Sequence, residues 1–280
     1  MKLAPKVATI ALSSIIATGI ATADQAEAVG DHYYNGMTEP SNNQAYQKAS
    51  YISNQALDDK HYGYADKTKY KAVGRVSNKN GWKGLGKDSM GTGFMVDNHT
   101  FITNAHVIED KNGNVSKAKH ISFDMNRDGN KKPYTFHATN VTTVPSYDIA
   151  IVHTKENMAQ EANATPLKLA SDGQINNLRY NQNLYSLGYG FHPNTNTKAH
   201  WSQFKYLQKS SNQAEIMTKD RFRAGDSGSP MVDGNYNVYG LRTYGYNLRN
   251  DGNSIYANQE VSGGESLYGY PKHFIQSHMK

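Results

Sequence analysis

Hydrophobic residues in most of this chain occur in short runs separated by Gly, Asn and Asp. Before residue 155 such runs lie at 72–76, 93–96, 100–103, 120–123, 134–143 and 149–153, and after residue 177 they lie at 183–188, 201–207, 214–218, 230–232, 238–243 and 254–261. Many short strands with turn signals between them are typical of an all-β sandwich or barrel. Two sets of strands, joined by a linker near residues 155–180, predict two packed β-barrels. Pro271 can open a short C-terminal helix that runs to residue 278.

The beginning of the chain has a different pattern, a positively charged start followed by an apolar stretch. Lys2 and Lys6 precede apolar and small residues at 7–20, and small residues flank one position at both 21–23 and 26–28. This arrangement is typical of a secretory signal peptide. We expect residues 1–28 to be removed after Ala28, with Ala23 as the alternative. The apolar stretch is too short for a good membrane span. The sequence therefore predicts a secreted, extracellular protein without a membrane span.

Residues 29–68 form an N-terminal extension that is polar and rich in Tyr, Asn, Gln and Lys. Within residues 41–59, Ala45, Ala49, Ile52 and Ala56 are spaced by four, three and four positions, which places them on one face of a helix. The extension is therefore either helical or a disordered or processed pro-segment. The pattern leaves both alternatives open.

Composition narrows the class of protein further. The chain has 280 residues, a mean hydropathy of −0.74, no cysteine and a formal net charge of +6. Without cysteine it cannot be a disulfide scaffold, so an exported domain must rely on its hydrophobic core. The positive residues are dispersed and accompany no nucleic-acid-binding motif. We therefore expect a solvated basic surface and no nucleic-acid partner.

Catalytic chemistry is indicated by Gly-Asp-Ser-Gly-Ser-Pro at residues 225–230. Its glycines allow a turn tight enough for the N–H groups of Gly225 and Ser227 to point at one spot, where they would stabilise an oxyanion. The same turn would present the Ser227 hydroxyl as a nucleophile, which requires a base and an acid. His106 follows Thr-Asn-Ala, and Asp148 precedes Ile-Ala-Ile-Val. These three residues form a candidate catalytic triad in the order His, Asp, Ser.

These motifs resemble those of trypsin-like serine proteases with the chymotrypsin fold, and more narrowly the staphylococcal glutamyl endopeptidases and exfoliative toxins. The resemblance covers residues 70–280. It implies an all-β fold of two packed six-stranded antiparallel barrels with a short C-terminal helix and an N-terminal extension. The first barrel, residues 69–165, would carry His106 and Asp148, and the second, residues 166–280, would carry Ser227. It also implies a monomeric endopeptidase that hydrolyses protein or peptide substrates through an acyl-enzyme.

Asp226 departs from the resemblance, because these two groups usually have Asn immediately before the nucleophile. A buried carboxylate at this position needs a cationic partner. A nearby Arg or Lys can serve, and the need for proteolytic activation stays open.

The candidate residues of the specificity pocket also differ from those of the proteases that this sequence resembles. Arg221, six residues before Ser227, occupies the position of trypsin's acidic pocket floor. Phe222 replaces the Thr of the glutamyl endopeptidases, and Arg242 replaces the His of their Gly-Ile-His run. An arginine can hold a carboxylate through two hydrogen bonds, so we expect cleavage after Glu or Asp. The same substitutions are equally compatible with a blocked or narrowed pocket.

Two rival functions remain. The first is a narrow-specificity exfoliative-type toxin, a virulence protease that would cleave a desmosomal cadherin of host skin. The extension favours this function, whereas Pro230, where such toxins usually have Gly, disfavours it. The second is a catalytically silent protease fold that binds host protein or cell wall, and the intact triad argues against it.

We expect no cofactor and no metal site. The other histidines show no tight spacing with Asp or Glu along the sequence, so the sequence predicts no metal binding by them. Asp124, Asn126 and Asp128, followed by Gly129, match the opening of a calcium loop, but Thr135 stands where an EF-hand has its bidentate Glu. A structural calcium is the weaker interpretation, since a tight hairpin turn explains the same residues.

Overall fold

The computed structural model describes residues 34–63, 65–192, 195–246 and 261–280. The predicted signal peptide and nearly all of the strand predicted at 254–261 lie outside these residues. The strands are β1 (Asp58–His61), β2 (Val73–Asn78), β3 (Ser89–Met95), β4 (Thr100–Thr103), β5 (Ile121–Met125), β6 (Tyr134–Thr143), β7 (Ala150–Thr154), β8 (Lys168–Leu169), β9 (Asn183–Gly188), β10 (His200–Lys209), β11 (Glu215–Lys219), β12 (Pro230–Val232), β13 (Asn237–Tyr246) and β14 (Val261–Ser266). The α-helices are α1 (Ser41–Ser50), α2 (Ala105–Ile108), α3 (Met158–Ala162), α4 (Asp172–Asn176) and α5 (Tyr270–Ser277).

The first barrel consists of β2 to β7 in the order β2-β3-β4-β7-β6-β5, and it closes through the antiparallel pairing of β2 with β5. Buried side chains of these strands fill its interior, and the rings of Phe101 and Phe123 stack there with centroids 4.4 Å apart. Close-packed apolar side chains make this barrel a rigid support for the short helix α2, which follows β4.

The second barrel consists of β9, β10, β11, β14, β13 and β12, each paired antiparallel with the next, and β12 pairs with β9 to close it. β10 is long enough to pair with three strands. Its second half pairs with β11, and residues 200–203 of its first half pair with β1. β1 thus joins the N-terminal extension to the second barrel. The predicted fold, two six-stranded antiparallel barrels with a short C-terminal helix, is confirmed.

The N-terminal extension is helical where the apolar spacing predicted a helix. Ala45, Ala49 and Ile52 are buried together with Leu207, Met217 and Val261 of the second barrel. The helix is shorter than residues 41–59, however, because α1 ends at Ser50 and is followed by a single 3₁₀ turn at 54–56 and then by β1.

Four other strands have the bounds that the hydrophobic pattern predicted. β4, β6, β9 and β12 begin and end at the predicted residues. The predicted linker near 155–180 also contains α3, β8 and α4, which are each five residues or shorter and therefore left no periodic signal. Within the described part of the chain, no helix is long and apolar enough to cross a membrane.

Candidate active site

His106 and Asp148 are held together by two contacts at one end of the first barrel. His106 lies in α2, and Asp148 lies in the turn that leads into β7. The ring atom Nδ1 of His106 is 2.6 Å from Oδ2 of Asp148, and the His106 backbone N–H donates to Oδ1 over 2.9 Å. Both side chains are almost completely buried. The carboxylate therefore fixes the orientation of the imidazole. Nδ1 is paired with Asp148, which leaves Nε2 as the ring atom that can accept a proton.

A phenol from the N-terminal extension also contacts this carboxylate. Tyr34 donates its hydroxyl to Oδ2 of Asp148 over 2.9 Å, and its ring lies against Tyr244 with centroids 4.9 Å apart. Burial, and then the charge of Asp148, raise the pKa of Tyr34 well above its usual value. The phenol stays protonated and is a permanent donor to the acid that orients His106.

Ser227 lies in a tight loop that both barrels hold. Its backbone carbonyl accepts from the Thr92 N–H of β3 over 2.8 Å, and the Gly228 N–H donates to the Arg242 carbonyl of β13 over 2.9 Å. Gly225 has φ +97° and Gly228 has φ +85°. A Cβ atom at Gly228 would lie 2.1 Å from the Thr92 carbonyl oxygen, so only glycine fits there.

The candidate oxyanion donors and the candidate nucleophile differ in the hydrogen bonds they make. Within the described residues, the backbone N–H groups of Gly225 and Ser227 donate to no protein acceptor. The Ser227 hydroxyl donates to the backbone carbonyl of Thr243 over 3.2 Å. Within the described residues Ser227 and His106 share no hydrogen bond, so this hydroxyl must turn from the Thr243 carbonyl toward the imidazole before it can react.

Asn104 and Thr243 connect the two halves of the site. Asn104 Nδ2 donates to the backbone carbonyl of Asp148 over 2.6 Å and to Oγ1 of Thr243 over 3.0 Å. Sequence reasoning missed both residues as well as Tyr34. Asn104 stands two residues before His106 in a motif already singled out, so its position was a usable signal, whereas Tyr34 offered none.

Asp226 has the cationic partner that its burial required. Arg242 Nη2 is 3.3 Å from Oδ2 of Asp226, within ion-pair distance though not in hydrogen-bond geometry, and Arg242 Nε donates to Asp220 over 2.8 Å. Burial raises the pKa of Asp226 to about 6, even though Arg242 counteracts this shift. Two buried carboxylates thus share one buried guanidinium.

The three candidate pocket residues differ in accessibility. Arg242 is fully buried, and its guanidinium lies between the rings of Phe204 and Phe222, 5.3 and 5.4 Å from the centroids. Arg221 is only partly buried, and among the described residues it donates one hydrogen bond, from Nη2 to the Asn54 carbonyl over 3.3 Å. The charge of Arg242 is therefore balanced by two buried carboxylates, although its Nη1 and Nη2 make no hydrogen bond within the described residues, whereas Arg221 is the more exposed of the two arginines.

In the candidate calcium loop, protein cations balance the negative charge of the buried carboxylate. Asp124 is buried, and its Oδ2 is 3.1 Å from Arg127 Nη1 and 3.0 Å from Lys132 Nζ. Asp128 is 3.1 Å from Nε2 of His61, and Asn126 is in the left-handed region with φ +54°. A calcium ion at this loop would have to displace the two cations from Asp124.

Known proteins share the family and the fold of this chain. The family profile described as "Trypsin-like peptidase domain" matches residues 91–241, more than half of the chain. Among solved structures, a Glu endopeptidase in complex with MPD is 16% identical with a TM-score of 0.60, over 78% of this chain and 95% of its own. The thermostable serine protease AL20 from an extremophilic microorganism is 17% identical with a TM-score of 0.57, over 74% and 96%. The protease Anisep of Arthrobacter nicotinovorans is 16% identical with a TM-score of 0.56, over 73% and 93%. At these identities the structural likeness demonstrates the fold alone.

Proposed function

Because this chain belongs to the family of trypsin-like peptidases, we propose that it is a secreted serine endopeptidase whose triad is Ser227, His106 and Asp148. The observation that carries the proposal is the pair of contacts between His106 and Asp148, 2.6 Å and 2.9 Å, beside a serine loop with two backbone donors that meet no acceptor in the described part of the chain. Each of these parts has a defined role in acyl transfer.

In the proposed mechanism Ser227 Oγ attacks the peptide carbonyl while Nε2 of His106 takes its proton. The new negative oxygen accepts hydrogen bonds from the Gly225 and Ser227 amides, which need no reorganisation because the loop already presents them. His106 then gives the proton to the leaving amine, and an acyl-enzyme remains on Ser227. Water, activated by the same imidazole, releases the product acid. Asp148 stays ionised and stabilises the imidazolium throughout.

The test of this mechanism is labelling by a fluorophosphonate probe, which reacts only with an activated serine. We expect the wild type to be labelled and Ser227→Ala to be unlabelled. Asp148→Asn should react at least about a thousand-fold more slowly, because it orients the wrong imidazole tautomer. A wild-type protein that folds but takes no label would establish the silent binding protein instead.

For specificity we propose that the residue before the scissile bond is Glu or Asp and that Arg221 binds its carboxylate. Arg221 is only partly buried and donates a single hydrogen bond within the described residues, which supports this choice, and the buried pairing of Arg242 with two aspartates argues against Arg242. On a denatured proteome we expect most cuts after Glu or Asp. Arg221→Ala should reduce the ratio of kcat/KM for matched Glu and Gln peptides by at least about tenfold. Arg179→Ala, on a surface turn, is the matched control. An unchanged ratio in Arg221→Ala would eliminate this residue as the specificity determinant.

The docked extension favours a second candidate function, the exfoliative-type protease that cleaves one folded host protein. α1 buries its apolar face against the second barrel, which resembles the helical extension expected for that group. Cleavage assays on denatured and on folded substrates distinguish the two functions. Few cuts in a denatured proteome, together with probe labelling and cleavage of a folded desmosomal cadherin, would support the toxin function.

Secretion is part of the proposal and has its own test. N-terminal sequencing of the protein from culture medium should give a chain that begins after Ala28 or after Ala23. An intact Met1 in the active protein would contradict it.

A further inference from the structure

Three residues far apart in the sequence bring potential metal ligands together beside the extension. Asp59 lies in β1, His192 in the loop after β9, and His200 at the start of β10. Oδ1 of Asp59 is 3.6 Å from Nε2 of His192 and 3.6 Å from Nδ1 of His200, and the three atoms lie within 4.8 Å of one another. The two imidazole rings are stacked, with centroids 3.2 Å apart and planes 12° apart.

These separations fit a shared ion better than direct hydrogen bonds. A separation of 3.6 Å is too long for a hydrogen bond between nitrogen and oxygen. Zinc binds nitrogen and oxygen ligands at about 2.0–2.2 Å, and tetrahedral angles then place neighbouring ligand atoms about 3.4 Å apart. The Asp59 oxygen is already near this spacing from each nitrogen, and the two nitrogens lie within 4.8 Å of each other.

Each group also offers a lone pair that other contacts do not use. Within the described residues Nδ1 of His200 is buried and has no hydrogen-bond partner. Nε2 of His192 lies 3.6 Å from Oδ1 of Asp59 and makes no hydrogen bond within these residues. Asp59 holds Arg223 Nε with its other oxygen, Oδ2, over 2.8 Å, so that Oδ1 faces the imidazoles. A ligating carboxylate fixed through its second oxygen is a common feature of metal sites.

We propose that Asp59, His192 and His200 bind one zinc ion, with water completing a tetrahedral set. Because the ring planes are only 12° apart, the rings must tilt apart before both nitrogen lone pairs can point at the ion. The site contains no residue of the triad. Its ligands come from the extension and from the second barrel, so the ion would join β1 to the barrel next to Arg223, four residues before Ser227.

The three ligands lie too far apart in the sequence for their spacing to predict this site. The ligands are separated by more than a hundred residues on one side of His192 and by eight on the other, so no short motif exists. Only the pairing of β1 with β10, in which His61 lies opposite His200, brings Asp59 to the two histidines.

The first experiment is metal titration of the chelator-treated mature protein. Cobalt(II) should give the intense visible absorption of a tetrahedral site, and calorimetry with zinc should show a single ion per chain. His192→Ala and His200→Ala should each weaken binding by at least about tenfold. His137→Ala is the matched control, because His137 also faces a carboxylate, 2.9 Å from Glu156, but at an exposed position. Binding that is absent in the wild type, or equal in all three variants, would overturn the proposal.

A second measurement does not depend on the variants folding. Wild-type crystals soaked in zinc and measured at the zinc absorption edge should show their strongest anomalous peak between Asp59, His192 and His200. Zinc should also slow hydrogen exchange of the β1 amides, because an ion that binds only the docked state stabilises it. A strongest peak elsewhere, or unchanged exchange in β1 despite binding, would contradict the assignment.

Discussion

At the scale of single residues, Tyr34 gives a test of how far the extension takes part in catalysis. Its hydroxyl donates to Oδ2 of Asp148, the same oxygen that faces the His106 ring. In Tyr34→Phe the carboxylate charge is no longer shared with the phenol, so it favours the imidazolium more strongly. We expect the acid limb of kcat/KM against pH to move to higher pH, with a larger loss of activity at pH 6 than at pH 8. Tyr46→Phe, in α1, is the control, and a uniform loss at all pH values would indicate a merely structural role for Tyr34.

Gly228 allows an equally specific test of the nucleophile loop. Its φ of +85° and the 2.1 Å approach to the Thr92 carbonyl leave no space for a side chain. We expect Gly228→Ala to displace Ser227 and to lower kcat/KM by at least about a hundred-fold, since small misplacements of reacting groups have effects of this size. Gly234→Ala is the control, because a Cβ there has nothing within 4 Å. Equal activity of the two variants would mean that the loop tolerates movement.

At the scale of elements, the docking of the extension on β11 depends on a buried carboxyl group. Glu215 accepts from the Gly36 N–H over 2.6 Å, and Tyr244, Asp148 and Glu265 also face it. Burial raises the pKa of Glu215 to about 7. An acid whose pKa is raised by folding stabilises the fold fully below its usual value, near 4.5, and loses that contribution as the pH rises through 7.

The Glu215→Gln variant tests this pH dependence. Glutamine keeps the acceptor for Gly36 but does not ionise. The unfolding free energy of the wild type should therefore fall relative to Glu215→Gln between pH 4.5 and 7, by as much as about 3 kcal/mol. Denaturant melts at several pH values measure this difference, with Glu161→Gln on the surface of α3 as control. Parallel curves for wild type and Glu215→Gln would show that the carboxyl group is not buried as described.

The elements also show what a sequence pattern can and cannot predict. The face formed by Ala45, Ala49 and Ile52 was predictable because periodic apolar residues must be buried somewhere. β1, with the sequence Asp-Asp-Lys-His, has no strand propensity of its own and exists because β10 offers an edge to pair with. Tertiary pairing of this kind leaves no local signal.

At the scale of the whole molecule, the contact between His106 and Asp148 and the tight turn at Ser227 were predictable because their motifs are short and lie at strand ends. The environment of the triad was not, because it depends on distant segments. Arg242 stood in the right run of sequence for a pocket residue, yet its charge is compensated by Asp220 and Asp226. Which of two arginines can reach a substrate is decided by packing across the barrel rather than by distance from Ser227 in the sequence.

Packing across the molecule also argues that the extension is a working part of the protease. Lys219 Nζ donates to the carbonyls of Ala49 and Ile52, Arg221 donates to Asn54, and Arg223 pairs with Asp59. These three basic residues alternate along the segment that leads to Ser227. The extension therefore holds that segment at successive points, and a removable pro-segment would be expected to obstruct the site instead.

Undocking α1 in the full-length chain tests whether the extension supports the segment before Ser227 or is an inhibitory pro-segment. Ala49 is fully buried, so Ala49→Asp places a carboxylate against Leu207 and Met217 and should cost about 3 kcal/mol of unfolding free energy or release the helix. We expect kcat/KM to fall by at least about tenfold, because the segment before Ser227 loses its support. Gln47→Asp adds the same charge on the exposed face of α1 and should have little effect. A rise in activity in Ala49→Asp, with Gln47→Asp unchanged, would instead identify residues 34–57 as an inhibitory pro-segment.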